Sequence, residues 1–176
     1  TIHSSRRRFA AWLNSSVSTQ MIQISPGDLI AIEHERRFFY AIVLTRIFMF
    51  GGQVVYAFHR TTTELETAER FLQSKGDGFH FIADFIDAKY KNAIYRLARK
   101  LPIADLNAFK FFRQGEQSYG ADKTWAIWDR APHVVQTPTS LTDEQWAYPI
   151  LRTVSYREMC ECIDKKWKPE HDRPER

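Results

Sequence analysis

The sequence predicts a single α+β domain, built on a twisted, mainly antiparallel sheet with a β-meander near the N-terminus and two to four helices at its sides. Three observations carry that expectation. Runs rich in Ile, Val, Phe and Tyr follow one another from Leu29 to His59, separated only by short turn signals. Helix-spaced apolar stripes then interleave with short strand-like runs. No internal repeat or linker divides the 176 residues. The expected organisation is an N-terminal arm or short helix over 1–24, one domain over 25–167 and a charged tail over 168–176.

The elements follow in order. Phe9, Trp12, Leu13 and Val17 recur at helical spacing in a polar, basic lead-in. Pro26-Gly27 signals a turn, and Asp28 can bond a nearby backbone N–H. Leu29–His34 reads as a strand, Glu35-Arg36 as a turn and 37–48 as a longer strand. In that second strand Phe38, Tyr40, Ile42 and Leu44 line one face and Phe39, Ala41 and Val43 the other. A strand apolar on both faces belongs in the middle of a sheet covered on both sides. Phe50-Gly51-Gly52-Gln53 makes the next turn, and Val54–His59 the third strand.

Thr61-Thr62-Thr63-Glu64 is expected to open a helix with the stripe Leu65, Ala68, Phe71 and Leu72, stopped by Lys75-Gly76-Asp77-Gly78. Phe79–Ile86 reads as a strand. Residues 90–101 fit helix or strand, ended either way by Pro102. Ala108–Phe112 is expected as a strand, Arg113–Lys123 as a polar loop and Thr124–Asp129 as a short aromatic strand. Pro132 and Pro138 bracket a connector. Cap chemistry at Ser140–Gln145 starts a short helix that Pro149 ends. Ile150–Val154 reads as extended, and Tyr156–Trp167 as the last helix, with Met159, Cys160, Ile163 and Trp167 at helical spacing.

Composition narrows the function classes. Hydrophobic residues make up 44 % and aromatic residues 14 %, with 13 Phe, enough to fill a large core. The net charge of +4 is mild, and its cations are spread, with short clusters at Arg6-Arg7-Arg8, Arg36-Arg37 and Lys165-Lys166. A nucleic-acid binder concentrates such charge on one stripe. Cys160 and Cys162 are too close for a disulfide in regular structure and lack partners for a zinc set, so both read as free thiols of a reducing, cytoplasmic setting. No run reaches the roughly 18 apolar residues of a membrane span, and no signal-peptide pattern opens the chain. The first residue is Thr1, so whether residues precede it is open.

Chemistry-bearing patterns are sparse. The six His form no HxH or HxxxH pair. His34, His59 and His80 fall at strand ends, where convergence would permit acid–base cleavage of RNA. Asp84 and Asp87 suit either a cation or a turn. Phe38, Phe39 and Tyr40 beside Arg36 and Arg37 have the composition of a base-stacking surface, which defines an RNA- or single-strand-binding module as the alternative reading. Trp125 and Trp128 point to opposite faces of their strand, and an exposed Trp is a favoured interface anchor. No catalytic set, metal site or cofactor fingerprint stands out.

Three groups of residues together resemble the bacterial immunity protein 26 family of polymorphic toxin systems. They are Pro26-Gly27-Asp28-Leu29-Ile30-Ala31-Ile32 with Phe39–Leu44, then Ala93–Ile103, and finally Trp125-Ala126-Ile127-Trp128-Asp129 with Leu141–Gln145 and Pro149-Ile150-Leu151. The resemblance spans roughly 25 to 165 and favours strand over 90–101. It implies a protein without catalytic residues or cofactor that binds one cognate toxin domain tightly, one to one, and occludes its active site. On that reading Glu64, Glu66, Asp122, Asp143 and Glu144 are candidates for an acidic contact patch. Arg36, Arg37 and Trp128 are candidate anchors.

Overall fold

The computed structural model describes residues 22–47, 52–119, 122–131 and 133–173. The N-terminal arm up to 21 and the tail from 174 lie outside the described residues. The chain forms one α+β domain, whose described residues make a mixed six-stranded sheet, a second three-stranded antiparallel sheet and four helices.

β1 (Leu29–His34) and β2 (Arg37–Ile47) form the first hairpin at the expected positions. Glu35 and Arg36 take φ of 50° and 61°, the left-handed pair that a two-residue hairpin turn needs to match strand twist. β3 (Gly52–Thr62) pairs with β2, and the expected Gly51-Gly52 turn lies largely outside the described residues. β3 runs three residues past His59, because Thr61 and Thr62 pair with Phe39 and Phe38. Those threonines therefore end a strand. Helix α1 (Ala68–Gln73) starts later, capped by Thr67, whose hydroxyl accepts from the Arg70 N–H at 3.4 Å.

β4 (Gly78–Asp84) packs against β3 so closely that a Cβ on Gly78 would collide with the Ala57 carbonyl. Helix α2 (Ile86–Tyr90) follows, a short turn with no counterpart in the sequence expectations. β5 (Ile94–Ala98) resolves the ambiguous segment as a strand paired to the outer side of β1.

Of the stretch 113–123, expected as a polar loop, residues 113–119 and 122–123 instead belong to two strands. β6 (Phe111–Tyr119) and β7 (Asp122–Asp129) pair antiparallel, and β8 (Val134–Gln136) adds inside the proline-bracketed connector. Helix α3 (Asp143–Trp146) has the expected capping box, with Thr142 and Gln145 satisfying each other's backbone N–H at 2.9 and 3.2 Å. β9 (Thr153–Ser155) joins β4 as the sheet's one parallel pair, giving the order β5-β1-β2-β3-β4-β9. Helix α4 (Tyr156–Asp164) closes the domain.

β2 is interior and buried on both faces, as its sequence requires. Phe39, Ala41 and Val43 face a core completed by Met159, Cys160 and Ile163 of α4. Tyr40, Ile42 and Leu44 face a second core with Phe71 of α1, Phe112 of β6 and Leu151. Tyr40 stacks on Phe71 with ring centroids 4.0 Å apart. Each such side chain contributes about 1.5–3 kcal/mol by leaving water, so two-sided burial of β2 is the chief support of the domain.

The charged tail keeps regular structure through Asp172. A 3-10 turn over Pro169–Asp172 buries Pro169, and the Trp167 indole N–H donates to Asp172 at 3.0 Å. Its main anchor is Arg113, which is 2 % exposed. The Arg113 guanidinium donates to the Pro169 carbonyl, stands 3.4 Å from Asp172, and lies 5.0 Å from the Trp146 ring centre and 5.7 Å from that of Trp125. Among the described residues no helix is long and apolar enough to cross a membrane.

Candidate functional site

The Pro26-Gly27 turn builds one end of the sheet. Gly27 has φ +86°, and a Cβ there would come within 3.0 Å of the Lys100 Cα. This close approach lets the Gly27 carbonyl accept from the Leu101 N–H at 2.9 Å, while the Gly27 N–H donates to Val43 at 2.8 Å. The turn is thereby fastened to the segment that leaves β5, which sets Asp28 against Arg96. Arg96 Nε stands 3.0 Å from Asp28 Oδ2, an ion pair whose angle falls outside hydrogen-bond geometry. Asp28 also accepts from the Ser25 N–H at 3.0 Å, and Arg96 donates to the Gln23 carbonyl. The buried carboxylate is thus matched locally.

Around this pair lies an open cleft of about 880 Å³ that wraps the edge strand β5. Ile94 and Arg96 line it from one face of the strand and Tyr95 and Leu97 from the other, joined by Leu65, which is 43 % exposed. The Tyr95 hydroxyl donates to Glu33 at 2.8 Å, and that carboxylate pushes the phenol pKa up. Arg99 and Lys100 are exposed at the other end of β5 and, among the described residues, make no ion pair. Among the described residues the cleft therefore combines an unpaired strand edge, apolar side chains and two cations outside any ion pair.

The residues singled out in the sequence do not gather there. Arg36 is exposed in the first hairpin turn. Arg37 is held by Asp164 at 2.7 Å and donates to the Thr61 hydroxyl. Glu64 is exposed and contributes its carbonyl to Thr62 at 2.6 Å. Glu66 is not a surface acid: it is 8 % exposed and accepts both arms of Arg60 at 2.6 and 2.7 Å. That fork holds its pKa below the ordinary carboxylate range. Asp122 opens β7, and its side chain lies outside the described residues. Trp128 is half-buried against the second core, its indole N–H donating to Gln114 at 3.0 Å. Asp143 pairs with Arg173 at 2.7 Å, and Glu144 accepts from the Tyr148 hydroxyl at 3.2 Å. Three of the five expected acids, Glu66, Asp143 and Glu144, are thus engaged in local bonds.

The histidines also stay apart. His34 packs edge-on to Tyr156. His59 lies 3.3 Å from both Asp77 and the Trp167 carbonyl. His80 emerges on the opposite sheet face, donates to the Leu106 carbonyl at 2.6 Å, and is pushed down in pKa by burial. Asp84 accepts from the Ile86 N–H at 2.9 Å as a turn residue, and Asp87 stands 3.9 Å from Arg157. Among the described residues no group of three His, Cys, Asp or Glu is arranged to hold a metal. Phe39 and Tyr40 are inside the cores, so the base-stacking surface loses two of its three rings.

Sequence reasoning missed the cleft because Ser25–Asp28, Leu65 and Ile94–Lys100 are far apart in the chain. The available signal was Arg99-Lys100 just ahead of Leu101-Pro102, a charged exit from an apolar run. Compared with known proteins, the chain matches no family model, and no curated protein or solved structure matches it significantly.

Proposed function

We propose that this chain is an immunity protein, a binding module that neutralises a cognate bacterial toxin domain by forming a tight one-to-one complex that occludes the toxin's active site. The observation that carries the reading is the cleft at β5, where a sheet edge is lined with the half-buried Tyr95 and Leu97, the exposed Leu65, and the cations Arg99 and Lys100, which make no ion pair among the described residues. A preorganised surface of this kind loses little entropy on binding. The resemblance of three groups of residues to immunity proteins supports the same reading. Arg99 and Lys100 favour a partner with an acidic contact surface. Arg36, which is exposed, remains a candidate contact at the hairpin turn. The work is binding in the cytoplasm, without turnover or cofactor.

The test is co-expression of the tagged chain with the variable C-terminal domain of a large secreted protein encoded beside it. A salt-resistant one-to-one complex that rescues cells from that domain is expected. Recovery of nucleic acid at low salt, with no protein complex, overturns the reading in favour of a single-strand-binding module.

A further inference from the structure

We infer that the partner presents an extended segment alternating acidic and apolar side chains, which adds as a new strand to the outer edge of β5. This deepens the binding reading above and rests on it.

The first argument is the backbone. β5 ends the six-stranded sheet and hydrogen-bonds only to β1 among the described residues. One row of its N–H and C=O groups therefore faces the cleft, which is the template that strand addition uses. β8, which ends the second sheet and carries the exposed Val134 and Val135, spans only three residues. β5 offers five residues and a cleft around them.

The second argument is alternation. Side chains of an added strand point in turn to the two faces of the sheet. Over one face of β5 they meet Tyr95, Leu97 and the exposed Leu65, which suit apolar groups. Over the other they meet Arg96, beyond which the strand exits through Arg99 and Lys100.

The third argument is charge along the strand. At the entry of β5, Glu33 is bonded to Tyr95, and towards the exit Asp28 is already matched by Arg96. At the exit, Arg99 and Lys100 are unmatched among the described residues. Acidic groups of the incoming segment are thus drawn to the exit end, which fixes its direction and register.

The experiment uses the full chain and three acetylated, amidated ten-residue peptides followed by calorimetry at low salt. One alternates Glu with Val. The second has the same composition with the Glu residues blocked together. The third repeats the first with every second amide N-methylated on the edge that would face β5. Saturable binding of the first peptide alone is expected. Amide exchange across 94–98 should slow by about tenfold or more, and the R99E/K100E variant should lose about tenfold in affinity. Equal binding of the blocked or N-methylated peptide, or no binding of the first, overturns the inference. Capture of a toxin domain that the first peptide does not displace also overturns it, while leaving the neutralising function standing. Peptide binding without rescue of cells from the toxin domain supports edge addition and removes the immunity reading instead.

Discussion

At one end of the six-stranded sheet β5 keeps an open edge among the described residues, while at the other end β9 is short, parallel and tied to the second sheet. The tie is made by backbone, with the Arg113 N–H donating to Pro149 at 2.9 Å and the Leu151 N–H donating to Arg113 at 2.7 Å. The same arginine is sunk between Trp125 and Trp146 and fastens the tail. Charge at the closed end is bound into structure; charge at the open end, at Arg99 and Lys100, is held in reserve. Removing a bound charge therefore costs stability, whereas removing a reserved one costs recognition.

That contrast can be broken or sharpened by substitution. The largest effect is expected for Arg113→Ala, which should lower unfolding free energy by about 3 kcal/mol in urea titration, because it empties a buried site and orphans the Pro169 carbonyl. Trypsin should then cut near Lys168 faster than in the parent. An unchanged midpoint and cleavage rate would end the idea that this residue closes the sheet.

Next comes Glu66→Gln, expected to cost about 1.5 kcal/mol at neutral pH through the loss of its charged fork with Arg60. The folded state holds the Glu66 pKa below the ordinary 4.5, so its contribution is complete above that value. It disappears as pH falls through the lowered value, and parent and variant midpoints should converge on acidification.

His80 should give a smaller effect, at higher pH. Burial lowers its pKa from the ordinary 6.5, so the unfolded chain takes up a proton first and stability falls as pH drops below 6.5. In His80→Gln that part of the pH slope should vanish, as read from urea midpoints at pH 7.5 and 5.5. The smallest stability effect belongs to R99E/K100E, whose midpoint should stay within about 0.5 kcal/mol of the parent. A large loss there would mean that charge at the open end supports the fold just as charge at the closed end does.

The elements legible in the sequence were those whose physics is local. β2 declared itself by being apolar on both faces, α3 by Thr142 and Gln145, and α4 by Met159, Cys160 and Ile163 at helical spacing. What was illegible depended on distant partners. Arg113 reads as a loop residue until two tryptophans and the tail enclose it, so the pairing of β6 with β7 was hidden. Thr61 and Thr62 look like caps until Phe39 and Phe38 pair with them. Glu66 looks like a surface acid until Arg60 reaches back from β3. The cleft is the extreme case, assembled from β5 with its exit, the turn at Ser25–Asp28 and the lone Leu65, which are far apart in the chain.

Arg99 and Lys100 have one more effect, on what this protein avoids. A bare strand edge invites a second copy of the same sheet, the first step towards edge-to-edge aggregation. Two such edges meeting would bring exposed cations of both copies to the shared seam, on chains that already carry a net charge of +4 each. The same pair that welcomes an acidic segment thus acts as a gatekeeper, keeping the unoccupied protein from pairing with itself while it awaits its partner.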